Sequence, residues 1–139
     1  MKTSALALSI LAAACASLPA LAHAGTCDRY ERDKAEELVR SIGWKIVKKD
    51  YDGGSDISTI LTSCDYNSYS EKYEVDVDIY WKGKFNLDNT YRSSGTVTIY
   101  ESSGNYTYKE TYRNQAVTEY ENFKIGLGIG LIILDALSK

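Results

Sequence analysis

Residues 73–81, Tyr-Glu-Val-Asp-Val-Asp-Ile-Tyr-Trp, decide the fold. Tyr73, Val75, Val77, Ile79 and Trp81 fall on one side of a two-residue period, with Glu74, Asp76, Asp78 and Tyr80 on the other. That alternation marks a strand with one face in a core and one in water. Such a strand needs neighbours, and the flanking sequence supplies them. Downstream, residues 95–100 and 106–112 flank Ser102-Ser103-Gly104-Asn105, a turn composition that predicts a hairpin. Upstream, residues 44–49 and 57–64 flank Asp50-Tyr51-Asp52-Gly53-Gly54-Ser55-Asp56, and the same reasoning predicts a second hairpin.

Before these strands lies one helix. Asp28 and Glu31 have capping-box spacing, and Gly43 suits the position just past a helix end. Between them Tyr30, Ala35, Leu38, Val39 and Ile42 gather near one face, while Arg29, Arg32, Asp33, Glu36 and Arg40 take the other. The pattern predicts an amphipathic helix of about 14 residues. A helix followed by short-turned strands gives an α+β class: one N-terminal helix packed on a curved antiparallel sheet of four to six strands. The layout resembles a cystatin-like arrangement, a resemblance that implies a fold and no function.

Residues 123–137, Phe-Lys-Ile-Gly-Leu-Gly-Ile-Gly-Leu-Ile-Ile-Leu-Asp-Ala-Leu, break with this style. Ile125, Leu127, Ile129, Leu131 and Ile133 alternate with Gly126, Gly128 and Gly130, a strand-like period. Three glycines cost a helix roughly 3 kcal/mol against alanine. Gly126 and Gly130, however, form a small-xxx-small step used in close helix packing. The sequence leaves helix and strand open and predicts that this apolar segment completes the core. The alternative is a membrane-inserting or partner-docking tail acting through residues 125–134, a run of about ten residues and too short to span a bilayer as a helix.

The first 24 residues read as a secretory signal peptide, with basic Lys2, an apolar stretch and Ala22-His23-Ala24 as the cleavage pattern. This leaves residues 25–139 as a single domain in the periplasm or medium. A second reading of the leader takes Ala12-Ala13-Ala14-Cys15 as a lipoprotein box that would lipidate Cys15. Either route leaves Cys27 and Cys64 to pair in an oxidising compartment. Their bridge would close a loop of about 37 residues, worth roughly 3–4 kcal/mol. Removing Lys2 moves the formal charge from −3 to −4. That acidity, with no clustered basic groove, argues against a nucleic-acid partner.

Cleavage also removes His23, the only histidine. The mature chain then has no Ser-His-Asp or Cys-His system and no histidine-ligated metal. No Gly-x-x-x-x-Gly-Lys-Ser/Thr loop is present, and no cofactor is implied. Three constellations remain. Glu74, Asp76 and Asp78 lie about 6.6–7 Å apart along one strand face, close enough for carboxylate chemistry or a shared cation. The bland reading is a wet face balanced by Lys109 or Arg113. Asp50, Asp52 and Asp56 surround glycines as weak calcium candidates without EF-hand spacing. The third is tyrosine, present twelve times. Tyr106, Tyr108 and Tyr112 are expected to share one strand face, with Tyr100 near the facing strand, as a binding surface.

Together these readings describe a small exported, disulfide-containing, non-catalytic binding protein, inhibitor-like, immunity-like or envelope-accessory, whose partner is another protein or an envelope component. The rival readings are a membrane-active or self-assembling protein using residues 125–134 and a carboxylate-dependent hydrolase using Asp76 and Asp78.

Overall fold

A computed structural model describes residues 24–83 and 89–138, with backbone alone for 129–133. The leader, with Cys15 and His23, lies outside the described residues. Five strands form one open antiparallel sheet in chain order: β1 (Ala24–Thr26), β2 (Gly54–Asn67), β3 (Lys72–Gly83), β4 (Thr90–Tyr100) and β5 (Tyr106–Arg113). Helix α1 (Arg29–Asp50) lies on one face, and α2 (Gln115–Leu137) follows β5. The class is α+β.

The 73–81 segment is the central strand. Tyr73, Val75, Val77, Ile79 and Trp81 are all buried, while the residues between them face away from α1. Ala35, Val39, Ile42, Ile46 and Val47 of α1 meet this row, joined by Leu61, Val97 and Ile99 of the neighbouring strands. Each large side chain so buried contributes about 1.5–3 kcal/mol.

Helix α1 runs past the predicted stop. The Asp28 side chain accepts from the Glu31 N–H at 2.8 Å, and Glu31 accepts from the Asp28 N–H at 2.8 Å, closing the capping box. Gly43, however, sits inside the helix, which continues to Asp50. A Cβ on Gly43 would stand 2.4 Å from Thr59 Cγ2, so the glycine marks where helix and β2 touch. Ile46 and Val47 continue the buried face one turn beyond Ile42 and Gly43. Residues 44–49 are therefore helical, and the predicted first hairpin does not exist. Tyr30, expected on the packed face, is 74% exposed.

The C-terminal segment also departs from expectation. Asn114 caps α2, accepting from the Val117 N–H at 3.2 Å. It is itself clamped to β4, donating through its backbone N–H to the Arg92 carbonyl and through Nδ2 to the Thr90 carbonyl. Val117 is buried, and Tyr120 meets Tyr91 edge-on at 6.1 Å. Lys124 pairs with Asp52 at 2.6 Å. Beyond that point Ile125, Leu127, Leu134 and Leu137 are all more than half exposed. The segment does not complete the core: α1 covers the inner face at β2 and β3, the first turns of α2 reach β4, and the exposed apolar residues of α2 pack on none of it. The glycines do not prevent the helix.

The third departure is a bulge. Ser94 pairs with Tyr112 but Gly95 pairs with Glu110, leaving Thr111 as an extra residue in β5. An inserted residue reverses the facing of everything beyond it. Tyr106, Tyr108 and Glu110 therefore point towards the helix layer, and Tyr112 points to the open face.

The Cys27–Cys64 disulfide joins the chain just before the N-cap of α1 to β2, with Cα atoms 5.4 Å apart. The Cys27 N–H also donates to the Cys64 carbonyl at 2.9 Å.

Candidate functional site

Helix α1 packs on β2 and, less extensively, on β3, while the first turns of α2 reach β4. Neither covers the inner side of β5. A cleft of about 640 Å³ remains there, between the C-terminal half of α1 and the start of β5. Lys45, Lys49 and Asp50 form one wall, and Asn105, Tyr106 and Tyr108 form the other.

Each wall follows from its element. Lys45 and Lys49 are four residues apart and so lie one above the other on the helix. Tyr106 and Tyr108 are two apart and share a strand face. Both rings are half-buried against the core. Burial, followed by the nearby Asp50 carboxylate, raises the Tyr106 pKa. Burial likewise raises that of Tyr108, against the opposing hydrogen bond to Ser93.

Behind Tyr108 lies a polar network that alternation does not foresee. Ser93 is fully buried, with its hydroxyl 2.7 Å from the Tyr108 hydroxyl and 2.8 Å from that of Tyr51. It donates to Glu110 at 2.7 Å, and Tyr51 donates to the same carboxylate. Arg113 closes the network through Nε, 2.6 Å from Glu110. Burial alone would raise the Glu110 pKa, but the bonds from Ser93, Tyr51 and Arg113 outweigh it and hold the carboxyl below its usual range. An ionised, fully engaged Glu110 fixes Tyr108 through Ser93 and has no proton to give near neutral pH. Space for the Tyr108 ring comes from Gly95, where a Cβ would lie 2.7 Å from ring atom Cε2.

The other sequence candidates are dispersed. Tyr100 and Tyr112 lie on the open face of the sheet, opposite Tyr106 and Tyr108. Arg92 stacks over both Tyr80 and Tyr112, with its guanidinium carbon 5.5 and 5.3 Å from the ring centroids. Glu74, Asp76 and Asp78 share that open face, each with its own partners. Asp76 accepts from Thr96 at 2.7 Å and Ser63 at 2.8 Å, which holds its pKa low. Asp78 accepts from Ser94 at 2.5 Å and pairs with Arg92 at 3.2 Å, while Glu74 pairs with Lys72. Arg92 and Lys72, rather than Lys109 or Arg113, balance the stripe.

Asp50, Asp52 and Asp56 also go separate ways. Asp50 lines the cleft, Asp52 accepts from Lys124 and Tyr120, and Asp56 sits at an irregularity of β2 with φ of 52°. Among the described residues no group of three or more His, Cys, Asp or Glu is placed to hold a metal ion.

Sequence reading missed Lys45, Lys49, Ser93 and Glu110. The first two were assigned to a strand that is helix. For the others a signal exists: Ser93 interrupts the inner row Tyr91, Val97, Ile99, and a buried serine calls for a polar partner nearby.

The apolar half of α2 is a second exposed feature. No helix among the described residues is long and apolar enough to cross a membrane. The disulfide indicates an oxidising, non-cytoplasmic compartment. No protein-family model, curated protein or solved structure matches the chain.

Proposed function

We propose that this chain is a small exported, non-catalytic binding protein that holds its partner in the cleft between α1 and β5. The observation that carries the reading is the strip of inner sheet face that the described residues leave uncovered at β5, where Tyr106 and Tyr108 are presented on a fixed support. Tyrosine offers a broad contact surface at low entropic cost, and rigid aromatic anchors concentrate binding energy. The buried Ser93–Glu110–Tyr51 network immobilises Tyr108 before any partner arrives, lowering the ordering cost of association. An inhibitor-like, immunity-like or envelope-accessory role in the periplasm or medium fits such a module.

A photo-crosslinking residue at Tyr106, expressed in the native host, tests this reading. A discrete adduct is expected from Tyr106 and none from a control at Tyr100 on the opposite face. Equal labelling at both positions, or at neither, would refute it.

The bare apolar half of α2 favours a second reading, a membrane-active protein. Ile125 and Leu127 are two residues apart, about 200° around the helix, so the exposed surface is not one stripe. A helix apolar on several sides suits lipid better than a one-sided groove. Flotation with liposomes tests it: the full chain should float, and a chain ending at Lys124 should not. Identical behaviour of the two would dismiss this reading.

A further inference from the structure

We infer that the α1–β5 cleft takes a hydroxyl-rich saccharide carrying carboxylate groups, such as a short uronic acid oligomer. The inference rests on the binding-protein reading and names the ligand class for its site.

Charge comes first. The chain is acidic overall, yet Lys45 and Lys49 stand together at the cleft without a carboxylate partner among the described residues; Lys34, Lys72 and Lys124 are each paired, and Lys82 and Lys109, also without a carboxylate, are single charges on different strands. Lys48 on the same turn is stacked over the Trp44 ring at 4.9 Å. Two unpaired ammonium groups one turn apart favour an anion in a protein that otherwise repels one.

The kind of anion follows from the remaining wall. Asp50 is an acceptor alone when ionised, and it stands at the C-terminal end of α1, where the helix dipole is negative. A dense dianion such as phosphate would meet both. A sugar acid carries carboxylates for the two lysines and hydroxyl protons for Asp50, so it satisfies every charged group present. The Asn105 amide can both donate to and accept from a hydroxyl.

Shape agrees. A volume of about 640 Å³ lies within the range of small-ligand sites, but the cleft is open and mostly polar. Half-buried Tyr106 and Tyr108 offer apolar ring surface to the C–H faces of a pyranose while the polar wall serves its hydroxyls. A ligand without hydroxyls would make no use of Asp50 and Asn105, both exposed at the cleft.

The test is a titration of the full, isotope-labelled chain with tetragalacturonate, followed by amide shifts. Maltotetraose serves as the neutral sugar and tetraglutamate as the acidic peptide. Saturable shifts confined to residues 45–50 and 104–108 are expected with tetragalacturonate alone. Affinity should fall at least tenfold in Lys45→Ala/Lys49→Ala and in Tyr106→Ala, and stay unchanged in Tyr100→Ala. Spectra of the free variants establish that each remains folded. Absence of saturable binding, binding indifferent to the lysine and tyrosine changes, or equal binding of maltotetraose would overturn the proposal. Equal binding of tetraglutamate in the cleft would overturn the saccharide class while leaving the binding-protein reading intact. Failure of that broader reading shows instead in the crosslinking at Tyr106, which does not depend on the ligand's identity.

Discussion

Replacing Gly43 with alanine sets two effects of known sign against each other. In a helix interior, glycine costs about 1 kcal/mol relative to alanine, so the exchange would ordinarily stabilise α1 by that amount. Here the new methyl would stand 2.4 Å from Thr59 Cγ2 and 3.8 Å from Thr59 Cβ. The first distance requires movement, and the second is ordinary contact. Overpacking at such a contact costs about 1–3 kcal/mol. The net change in Gly43→Ala should thus run from near zero to a loss of about 2 kcal/mol. Thr59→Ser removes only the offending methyl. In that background Gly43→Ala should become stabilising by up to about 1 kcal/mol, giving a coupling of about 1–3 kcal/mol in the double-mutant cycle. Urea unfolding monitored by circular dichroism, with the disulfide intact, measures all four proteins. A full helix-propensity gain in the parent, or the same effect in both backgrounds, would refute the close approach of α1 to β2.

Three further outcomes are open to measurement. Cys27→Ser/Cys64→Ser should lower unfolding stability by about 3–4 kcal/mol, because the bridge closes a long loop, and a negligible shift of the urea midpoint would contradict this. Glu110 has a folded pKa below its ordinary 4.5, so its stabilisation is complete above that value and is lost as pH falls through the folded value. The stability gap between the parent and Glu110→Gln should therefore narrow on acidification below about pH 4.5, and a pH-independent gap would count against the network. Tyr66 is pushed up to about 12, first by burial and then by its hydrogen bond to Glu101. Its contribution is complete below the ordinary tyrosine value and is lost as pH rises through about 12, so a phenolate titration should find a subset of tyrosines ionising late.

The sheet was legible because alternation in 73–81 is long and unbroken. The hairpin at Ser102–Asn105 was legible from turn chemistry, and Tyr100 and Asn105 meet there through an N–H to carbonyl bond of 2.9 Å. The end of α1 was not, since a glycine needed for contact with Thr59 looks identical in sequence to one that ends a helix. Only the continuing pair Ile46 and Val47 argued otherwise. The tail misled for a related reason: a two-residue period of isoleucine, leucine and glycine mimics a strand, whereas the Asn114 clamp on β4 commits the backbone to a helix. The site itself was half visible. Tyr106 and Tyr108 were named from composition and periodicity, but their separation from Tyr112 depends on one unpaired residue, Thr111. Pairing register is a tertiary property that one strand's sequence does not encode.

The extra residue at Thr111 also bears on how the sheet ends. β5 is a terminal strand, and its outer row of amide and carbonyl groups has no neighbour among the described strands. Straight rows of that kind recruit other chains and seed fibres. The bulge bends this one near its end, and Lys109 places a charge beside the bend. The bend and the charge disfavour edge-to-edge pairing along β5, and deletion of Thr111 should leave a smoother edge with a greater tendency to aggregate.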